Sequence, residues 1–481
     1  MPQKKDFNKI NDYLWEIPKN FRPDMRVPAR AYVSEKMLEE AFKDRSLGQL
    51  VNVATLPGII NYSMAMPDMH EGYGFPIGGV AATRISDGVI SPGGVGYDIN
   101  CGMRLLKSDY LENDIKSHLD NLATEIQKEV PSGLGRGRQV KVDISSLNKV
   151  LEGGAQRLVE QGYGEGEDIE NCEAGGKLEQ TDASMVSDRA KNRGRDQIGT
   201  LGSGNHFLEI QKISEIFDEK IAEAFGLFKD QVVVMIHTGS RGLGHQIATD
   251  YIRAMMQAMP KYNINLPDRE LAACPFKSPE GQRYFTAMSC GANYAWANRQ
   301  MIAHYIRKAW KSVLGGQALP LVSLYDVAHN IAKIEKYKIN GKEVEVCVHR
   351  KGATRAFPPE NPEIPKGYQE VGQPVLIPGS MGTASYILVG TKEGEEAWYS
   401  TCHGAGRTMS RREATRKISG QEVVNNLEKK GIIIKCWSLR GIAEEAPMAY
   451  KDVNNVVEVV HQAGLSKKVA KLIPLAVIKG E

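Results

Sequence analysis

Six residues whose side chains can bind a metal or act as nucleophiles lie in glycine-rich, loop-like segments of this 481-residue chain. They are Asp98 and Cys101 in GYDINCG, His206 in GSGNHF, His237 in VMIHTGSRG, His329 in DVAHN and His403 in STCHGAGR. One carboxylate, one thiolate and several imidazoles can hold a divalent cation. The neighbouring glycines leave backbone N–H groups free to meet phosphate oxygens. The shared pattern indicates a metal site assembled around a phosphate.

Three of these histidines come at the end of an apolar, strand-like run. VVVMI precedes His237, LPLVSLYDVA precedes His329, and EEAWYSTC precedes His403. Catalytic groups commonly stand where strands give way to loops, because the sheet fixes their positions while the loop leaves room for a ligand. His237 and His403 each have an arginine four residues on, Arg241 and Arg407, and a guanidinium beside an imidazole suits phosphate chemistry.

Packing is the competing interpretation for the cysteines. D-x-x-C is a short pattern and buried cysteine is common. Asp98 and Cys101 by themselves therefore do not distinguish a metal site from core packing. Four glycines between residues 93 and 102 cost conformational entropy without filling a core, which favours a functional loop. Cys402 could pair with His403 as a nucleophile. Since neighbours in an extended strand point to opposite faces, we predict instead that Cys402 packs in the core.

Basic residues are concentrated in two short segments, although the net charge of the chain is only +3. The segments are SDRAKNRGR at 187–195 and RTMSRREATRK at 407–417. A charge run is most often a solvated helix face. Each of these two adjoins a candidate site loop, GSGNH or HGAGR, so together they favour a polyanionic partner.

Composition is that of a soluble globular protein, with 42% apolar and 25% charged residues. The N-terminal segment has lysines but no apolar stretch behind them, and no later run approaches the length of a membrane span. Seven cysteines without a CxxC pair argue against a disulfide framework or a zinc ribbon. We therefore expect a soluble, cytoplasmic protein without a membrane partner.

Short apolar strands alternate with glycine-rich turns and a few amphipathic helices, which predicts a mixed α/β (α+β) fold. Because the candidate residues run from Asp98 to His403, we expect one large catalytic domain over 1–481, with a central β-sheet core surrounded by helices. The clearest helix is predicted in 291–316, where two glycines end it, and another near 454–464. The glycine-rich segment 131–180 is predicted to be mobile or an insertion.

Eight motifs together carry a family resemblance. They are MPDMHEGYGFPIGG, GGVGYDINCGMR, LGSGNHFLE, IHTGSRGLG, DVAHN, PGSMGTASY, HGAGRTMSR and a KG close to the C-terminus. Through them the chain resembles the RtcB-type RNA-splicing ligases over nearly its whole length. The resemblance implies an RtcB-like fold and a GTP- and manganese-dependent RNA ligase of tRNA splicing and RNA repair. Such enzymes join RNA 3′-phosphate or 2′,3′-cyclic phosphate ends to 5′-hydroxyl ends through a histidine–GMP intermediate and guanylylation of the RNA 3′ end.

The resemblance also implies roles for the six residues. His403 would be the nucleophile that takes up GMP. The ligands of two manganese ions, with Cys101 bridging them, would be Asp98, Cys101, His206, His237 and His329. Manganese follows from the resemblance alone, because a thiolate with three imidazoles favours zinc by ligand softness.

Nucleotide and RNA contacts follow from the same resemblance. In the GTP pocket, a carboxylate at Glu209 can accept from guanine N–H groups, Tyr450 can stack on the base, and a helix is predicted to start near Ser410. The full set expected to bind GTP or GMP is Asn205, His206, Phe207, Leu208, Glu209, His329, Asn330, Pro378, Gly379, Ser380, Met381, Ser385, His403, Gly404, Ala405, Gly406, Tyr450 and Lys479. The arginines expected at the RNA ends are Arg193, Arg241, Arg407 and Arg411.

Two other functions stay open at this stage. A metal-dependent RNA cyclic phosphodiesterase would use the same cations and arginines without a nucleophilic histidine or a guanine pocket. A non-catalytic RNA-binding scaffold would explain the basic segments but not the Asp/Cys/His set. The family also suggests an archease-type activating protein as a partner. The sequence assigns no role to His70 in MPDMHEGYG. It could support the site residues or only pack in the core, and neither alternative is favoured.

Overall fold

The computed structural model describes residues 1–132 and 142–480. Nineteen strands lie within these residues: β1 Asn8–Asn11, β2 Leu14–Ile17, β3 Ala29–Tyr32, β4 Ile59–His70, β5 Ile77–Arg84, β6 Val89–Ile90, β7 Gly102–Leu111, β8 Phe207–Ile216, β9 Gln231–Thr238, β10 Cys274–Pro275, β11 Val322–Ala328, β12 Asn330–Ile339, β13 Lys342–Lys351, β14 Ala353–Arg355, β15 Pro374–Ile377, β16 Ser385–Gly390, β17 Ser400–Cys402, β18 Ile433–Cys436 and β19 Ser466–Lys479.

Fourteen α-helices lie within the same described ranges: α1 Glu35–Ala41, α2 Ser46–Val53, α3 Glu112–Ile115, α4 Leu119–Glu129, α5 Ile144–Glu160, α6 Gly166–Glu170, α7 Asp188–Gly194, α8 Glu219–Phe225, α9 Arg241–Ala258, α10 Pro279–Leu314, α11 Arg411–Lys417, α12 Gly420–Glu428, α13 Leu439–Glu444 and α14 Val453–Gln462. Of these helices, none is long and apolar enough to cross a membrane.

Two large sheets form the framework of the molecule. The eight-stranded sheet has the order β11-β7-β9-β8-β19-β16-β15, with β18 pairing β19 as well, and the seven-stranded sheet has the order β1-β2-β3-β4-β5-β13-β12. A single residue, His329, separates β11 in the first sheet from β12 in the second. The structure thus confirms the α+β fold, and its sheet core consists of two sheets that meet beside a candidate site residue.

Strand β9 is buried along its whole length. All eight residues of QVVVMIHT are buried, because apolar clusters cover both faces of the sheet. A continuous apolar run is typical of a strand that is buried on both faces. This burial fixes the backbone that carries His237.

The long helix α10 packs across one face of the eight-stranded sheet. Ser278 caps its N-terminus by accepting from the Gly281 N–H, and Gly315, at φ 90°, ends it. The predicted helix is confirmed, but the helix begins twelve residues before Gly291. Residues between Tyr284 and Ile306 are buried on nearly every side, so this part of the sequence lacks the amphipathic period that would have revealed its start.

The segment 131–180, predicted as mobile or an insertion, includes residues 133–141, which lie outside the described residues. Its remaining part contains α5 and α6. Helix α5 buries Leu147, Leu151 and Leu158 in the same apolar cluster as α10. The second predicted helix is also confirmed as α14, which buries Val456, Val457 and Val460.

Candidate active site and metal centre

The ends of three neighbouring strands bring four of the candidate residues together. Asp98 and Cys101 lie in the turn before β7, His206 directly precedes β8, and His237 lies near the end of β9. In the strand register, Gly102 pairs with Thr238 and Phe207 pairs with His237. Cys101 and His206 therefore flank His237 at the same edge of the sheet.

The donor atoms of these residues are close enough to share a metal ion. The carboxylate, thiol and imidazole of Asp98, Cys101 and His206 offer ligand atoms that all lie within 4.8 Å of one another. Cys101 Sγ is 3.5 Å from His206 Nε2 and 3.3 Å from His237 Nε2, while Asp98 Oδ2 is 2.9 Å from His206 Nε2. Packing of carboxylate, thiol and imidazole donors at such distances fits a transition-metal site.

His329 extends this cluster toward His403. Its ring centroid lies 5.6 Å from that of His237 and 5.4 Å from that of His403. His329 Nδ1 is 3.0 Å from Thr354 Oγ1, whereas the buried Nε2 has no hydrogen-bond partner among the described residues. A ligating histidine commonly uses one ring nitrogen for such an orienting bond and the other for the metal. The orphaned Nε2 thus fits a ligand position.

Burial sets the protonation states of the cluster. It lowers the pKa of His237 and His329 well below the usual value, so both imidazoles are neutral at pH 7. Burial alone would raise the pKa of Asp98, but the neighbouring His206 outweighs it and holds that pKa at about 2. Burial raises the pKa of the Cys101 thiol, which a bound metal would reverse by stabilising the thiolate. Neutral imidazoles and a carboxylate are the forms that ligate metals.

The His403 imidazole is held by a carboxylate from the other sheet. Asp68, on β4, is completely buried, and its Oδ2 accepts from His403 Nδ1 at 2.5 Å and from the His403 backbone N–H at 2.9 Å. Burial alone would raise the pKa of Asp68, but the charge and hydrogen bonds of His403 hold that pKa below its usual value. A proton fixed on Nδ1 leaves Nε2 as the basic, nucleophilic nitrogen.

Sequence reasoning missed Asp68, although MPDMHEGYG was recognised as a motif. The same motif contains His70, whose Nδ1 lies 3.0 Å from the Asp68 carbonyl oxygen and whose pKa burial lowers to about 4. His70 is thus a neutral ring that braces the backbone of Asp68. The sequence showed only an aspartate within the apolar run SMAMPDM, two positions before a histidine, and nothing in it indicated His403 as the partner.

If His403 takes up GMP, as the motif resemblance implies, Asp68→Asn should reduce that transfer by about 10²- to 10⁴-fold, because the amide can no longer hold the imidazole with its proton on Nδ1. The rate of labelling by α-labelled GTP measures this effect. Metal content and melting temperature should stay close to those of the wild-type protein, since Asp68 is outside the Asp/Cys/His cluster. A labelling rate equal to that of the wild-type protein would contradict the orienting role.

A cavity of about 920 Å³ opens beside His403. Its walls include most of the residues predicted to bind nucleotide: Asn205, Phe207, His329, Asn330, Pro378, Gly379, Ser380, Met381, His403, Gly404, Ala405, Gly406, Tyr450 and Lys479. Asp98, Cys101 and His237 line it too. This volume is in the range of pockets for drug-sized ligands, which suits a nucleotide.

The remaining predicted nucleotide residues are buried and do not line this cavity; they are His206, Leu208, Glu209 and Ser385. Leu208 points into the core because it alternates with Phe207 along β8. Glu209 and Ser385 are connected through Gln211, whose Nε2 donates to Glu209 Oε2 at 2.6 Å and to Ser385 Oγ at 3.1 Å. Glu209 and Ser385 are therefore joined in one buried hydrogen-bond network.

The four predicted RNA arginines fall into two pairs. Arg407 and Arg411 line the cavity, whereas Arg193 and Arg241 do not. Arg193 donates to Gln246 Oε1 at 2.9 Å, and Arg241 packs against Gly202 and donates to Thr200 Oγ1 at 3.2 Å. Of the four arginines, only Arg407 and Arg411 face the cavity directly.

A carboxylate that sequence reasoning missed holds that pair. Arg407 and Arg411 donate to Glu445 at 2.8 and 2.7 Å, and the Tyr450 hydroxyl also donates to Glu445. The Arg407 guanidinium lies 4.9 Å from the centroid of the Tyr450 ring. Glu445 thus fixes both guanidiniums at the cavity, where planar donors can bind phosphate.

The glycine at 406 is required by close packing of the nucleophile loop. Gly406 has φ +74°, and a Cβ atom there would lie 2.3 Å from the Asp68 carbonyl oxygen. Only glycine tolerates both the backbone conformation and the approach. The HGAGR loop therefore lies directly against the strand that supplies Asp68.

Comparison with known proteins shows where the chain belongs. A model of the tRNA-splicing ligase RtcB family matches residues 49–480. The tRNA-splicing ligase RtcB of Thermococcus kodakarensis is 52% identical over 483 residues, which cover 100% of both chains. That of Archaeoglobus fulgidus is 53% identical over 475 residues, or 98% of each chain. The RNA-splicing ligase RtcB of Mycobacterium tuberculosis is 53% identical over 435 residues, or 90% of this chain and 100% of its own.

These relatives define the class as an enzyme that ligates RNA. Similarity at this level extends across both sheets and every part of the site described above. The chain belongs to the tRNA-splicing ligase RtcB family. The resemblance drawn from the motifs and the prediction of an enzyme of the RNA-ligase class are therefore confirmed.

Proposed function

We propose that the chain is a GTP- and manganese-dependent RNA ligase that joins RNA 3′-phosphate or 2′,3′-cyclic phosphate ends to 5′-hydroxyl ends in tRNA splicing and RNA repair. The observation that carries the proposal is His403, fixed by Asp68 beside a cluster of metal-binding side chains and a nucleotide-sized cavity. A phosphodiesterase needs the metals and arginines but no such oriented histidine.

His403 begins the reaction as a nucleophile. Its Nε2 attacks the α-phosphorus of GTP, an N–P bond forms, the bond from that phosphorus to the bridging oxygen breaks, and pyrophosphate leaves. Asp68 stabilises the imidazole as it becomes positively charged, because its buried carboxylate already accepts from Nδ1. Covalent catalysis of this kind divides one difficult ligation into easier transfers.

The RNA then takes the GMP from the histidine. An oxygen of the RNA 3′-phosphate attacks the same phosphorus, which breaks the N–P bond and frees His403. The 5′-hydroxyl oxygen next attacks the 3′-phosphate, a phosphodiester forms, and GMP leaves. A 2′,3′-cyclic phosphate end must first be opened by water to the 3′-phosphate. Arg407 and Arg411 are placed by Glu445 to bind these phosphates.

The side chains of Asp98, Cys101, His206, His237 and His329 would hold the metal ions. When bound, two such cations supply positive charge that neutralises phosphate oxygens and favours the attacking and leaving groups. The carboxylate suits manganese, whereas a thiolate with three imidazoles favours zinc by ligand softness, so the assignment of manganese rests on the family relationship.

A joining assay decides between ligation and phosphodiester hydrolysis. Two RNA strands, one with a 2′,3′-cyclic phosphate and one with a 5′-hydroxyl, are incubated with the protein, GTP and Mn²⁺. We expect a joined product that requires GTP. Opening of the cyclic phosphate without joining, at a rate independent of GTP, would favour the phosphodiesterase instead.

Glu209 should couple GTP binding to pH. Burial raises the pKa of Glu209 to about 8, so the carboxyl is mostly protonated at pH 6–7 in the free protein. A carboxylate accepts from guanine N–H groups more strongly than a neutral carboxyl does. If guanine reaches the buried Glu209, GTP binding should therefore release a proton below pH 8. The dissociation constant for GTP should fall up to about tenfold per pH unit from pH 6 to 8 and level off above it.

Calorimetry in two buffers of different ionisation enthalpy measures that proton release directly. Glu209→Gln should abolish the pH dependence and weaken the preference for GTP over ATP, while leaving the metal cluster intact. An equal proton release from this variant would show that another group titrates.

A further inference from the structure

The most exposed tryptophan of the chain directly follows β18, close to the strand ends that carry the candidate site. All five tryptophans lie among the described residues, and Trp15, Trp296, Trp310 and Trp398 are buried. Trp437, in contrast, exposes 65% of its surface. Exposure alone requires no partner, but an exposed indole is a side chain that binding surfaces favour.

Strand register places Trp437 beside the candidate active site. Cys436, the last residue of β18, pairs with Lys479 of β19, and Lys479 pairs with Phe207 of β8. One step further along the three strands come Trp437, Gly480 and His206. Trp437 and His206 lie on either side of Gly480, two strand spacings apart. The Trp437 backbone is therefore about 10 Å from that of His206.

Positive charge lines the same part of the rim. Lys479 Nζ donates to the Gly204 carbonyl oxygen at 2.5 Å, and the Arg411 guanidinium lies against Gly204. Helix α11, which carries the exposed Arg412 and Arg416, contacts α13, the helix that follows Trp437. An aromatic ring among cations is the combination with which proteins bind single-stranded nucleic acid.

We propose that Trp437 stacks on a base of the RNA strand whose end occupies the active site. The proposal rests on RNA being the substrate. Backbone phosphates would bind the cations of the rim, and the indole would take a base without reading its identity, since every base has a flat π-face. A ligase that accepts different RNA ends gains affinity in this way without sequence preference.

Tryptophan fluorescence gives a direct test, because the other four indoles are buried. Single-stranded RNA with a 5′-hydroxyl should quench the emission of the wild-type protein, and Trp437→Phe should lose the quenching while keeping its KM for RNA. Trp437→Ala should raise that KM by about 5- to 100-fold. Labelling of the protein by GTP alone should stay unchanged in both variants.

Phe228→Ala is the matched control. Phe228 is an exposed aromatic residue just before β9, at the strand end opposite His237, and its removal should leave the KM for RNA unchanged. An RNA with abasic residues near its end should bind the wild-type protein and Trp437→Ala equally well.

Two results would overturn the stacking role. One is emission that RNA does not alter, and the other is a wild-type KM for RNA in Trp437→Ala. Either would leave Trp437, with the exposed Leu439 and Met448, as a surface for a protein partner instead. Failure of the proposed ligase function is distinguishable, because it would show as absence of joining by the wild-type protein.

Discussion

His403→Ala should abolish GMP transfer to the protein and, with it, all joining of RNA ends. An imidazole nitrogen forms the covalent bond to GMP. Its loss should therefore lower the rate of GMP transfer by at least about 10⁴-fold, as for other enzymatic nucleophiles. The measurement is the amount of label retained after incubation with α-labelled GTP and Mn²⁺, followed by an RNA-joining assay on the same preparation.

His304→Ala provides a histidine control for this experiment. His304 is half-buried in α10 and contacts the ring of Tyr163, and it belongs neither to the cavity walls nor to the Asp/Cys/His cluster. The His304→Ala variant should retain full labelling by α-labelled GTP. His403→Ala should also bind its metal ions normally, because His403 is outside the cluster of donors. Labelling of His403→Ala at the wild-type level would contradict the covalent mechanism.

Cys101→Ala should lose metal and guanylylation together. Its thiol lies within 3.5 Å of two imidazole nitrogens and in the same cluster as Asp98. Removal of such a central donor should lower metal affinity by more than the 10- to 100-fold typical of residues that only support ligands. Elemental analysis after gel filtration reports bound manganese, and the labelling assay reports activity.

Cys274→Ala serves as the matched variant. Cys274 is equally buried, but it lies on β10, away from the Asp/Cys/His cluster. Mn²⁺ should raise the melting temperature of Cys274→Ala as it does that of the wild-type protein, since binding to the folded state stabilises it. Cys101→Ala should show no such rise. Full manganese content in Cys101→Ala would refute a bridging thiolate.

Local sequence was sufficient to predict where the histidines stand. His237, His329 and His403 each follow a short apolar run, and the structure places them in β9, after β11 and after β17. The core position of Cys402 followed from strand alternation in the same way. Such predictions succeed because a strand and its terminal turn are specified within a few residues.

Partners that are distant in the chain could not be predicted. Asp68 and His403 are 335 residues apart, and Glu445 reaches Arg407 across 38 residues. The local sequence around Asp68 gives no indication of His403, and the reverse is also true. Tertiary packing alone brings β4 against the HGAGR loop. Packing places Arg193 and Arg241 outside the cavity walls, and their contact with RNA stays a prediction.

The proposed division of the six residues into metal ligands and one nucleophile has a physical reason. Asp98, His206, His237 and His329 surround Cys101 or extend from it, whereas His403 has its own buried carboxylate. A metal ligand needs a neutral ring with a free nitrogen, and a nucleophile needs a partner that stabilises the cation formed during attack. Asp68 supplies that partner.

Mapping of the guanylylated residue tests the central claim most directly. The wild-type protein is incubated with GTP and Mn²⁺ without RNA, digested at alkaline pH, and its peptides are analysed by mass spectrometry. The account predicts one GMP per chain on His403, attached through Nε2 by a bond that is labile in acid and stable in alkali. GMP on another residue, or no covalent GMP in a preparation that still joins RNA, would contradict it.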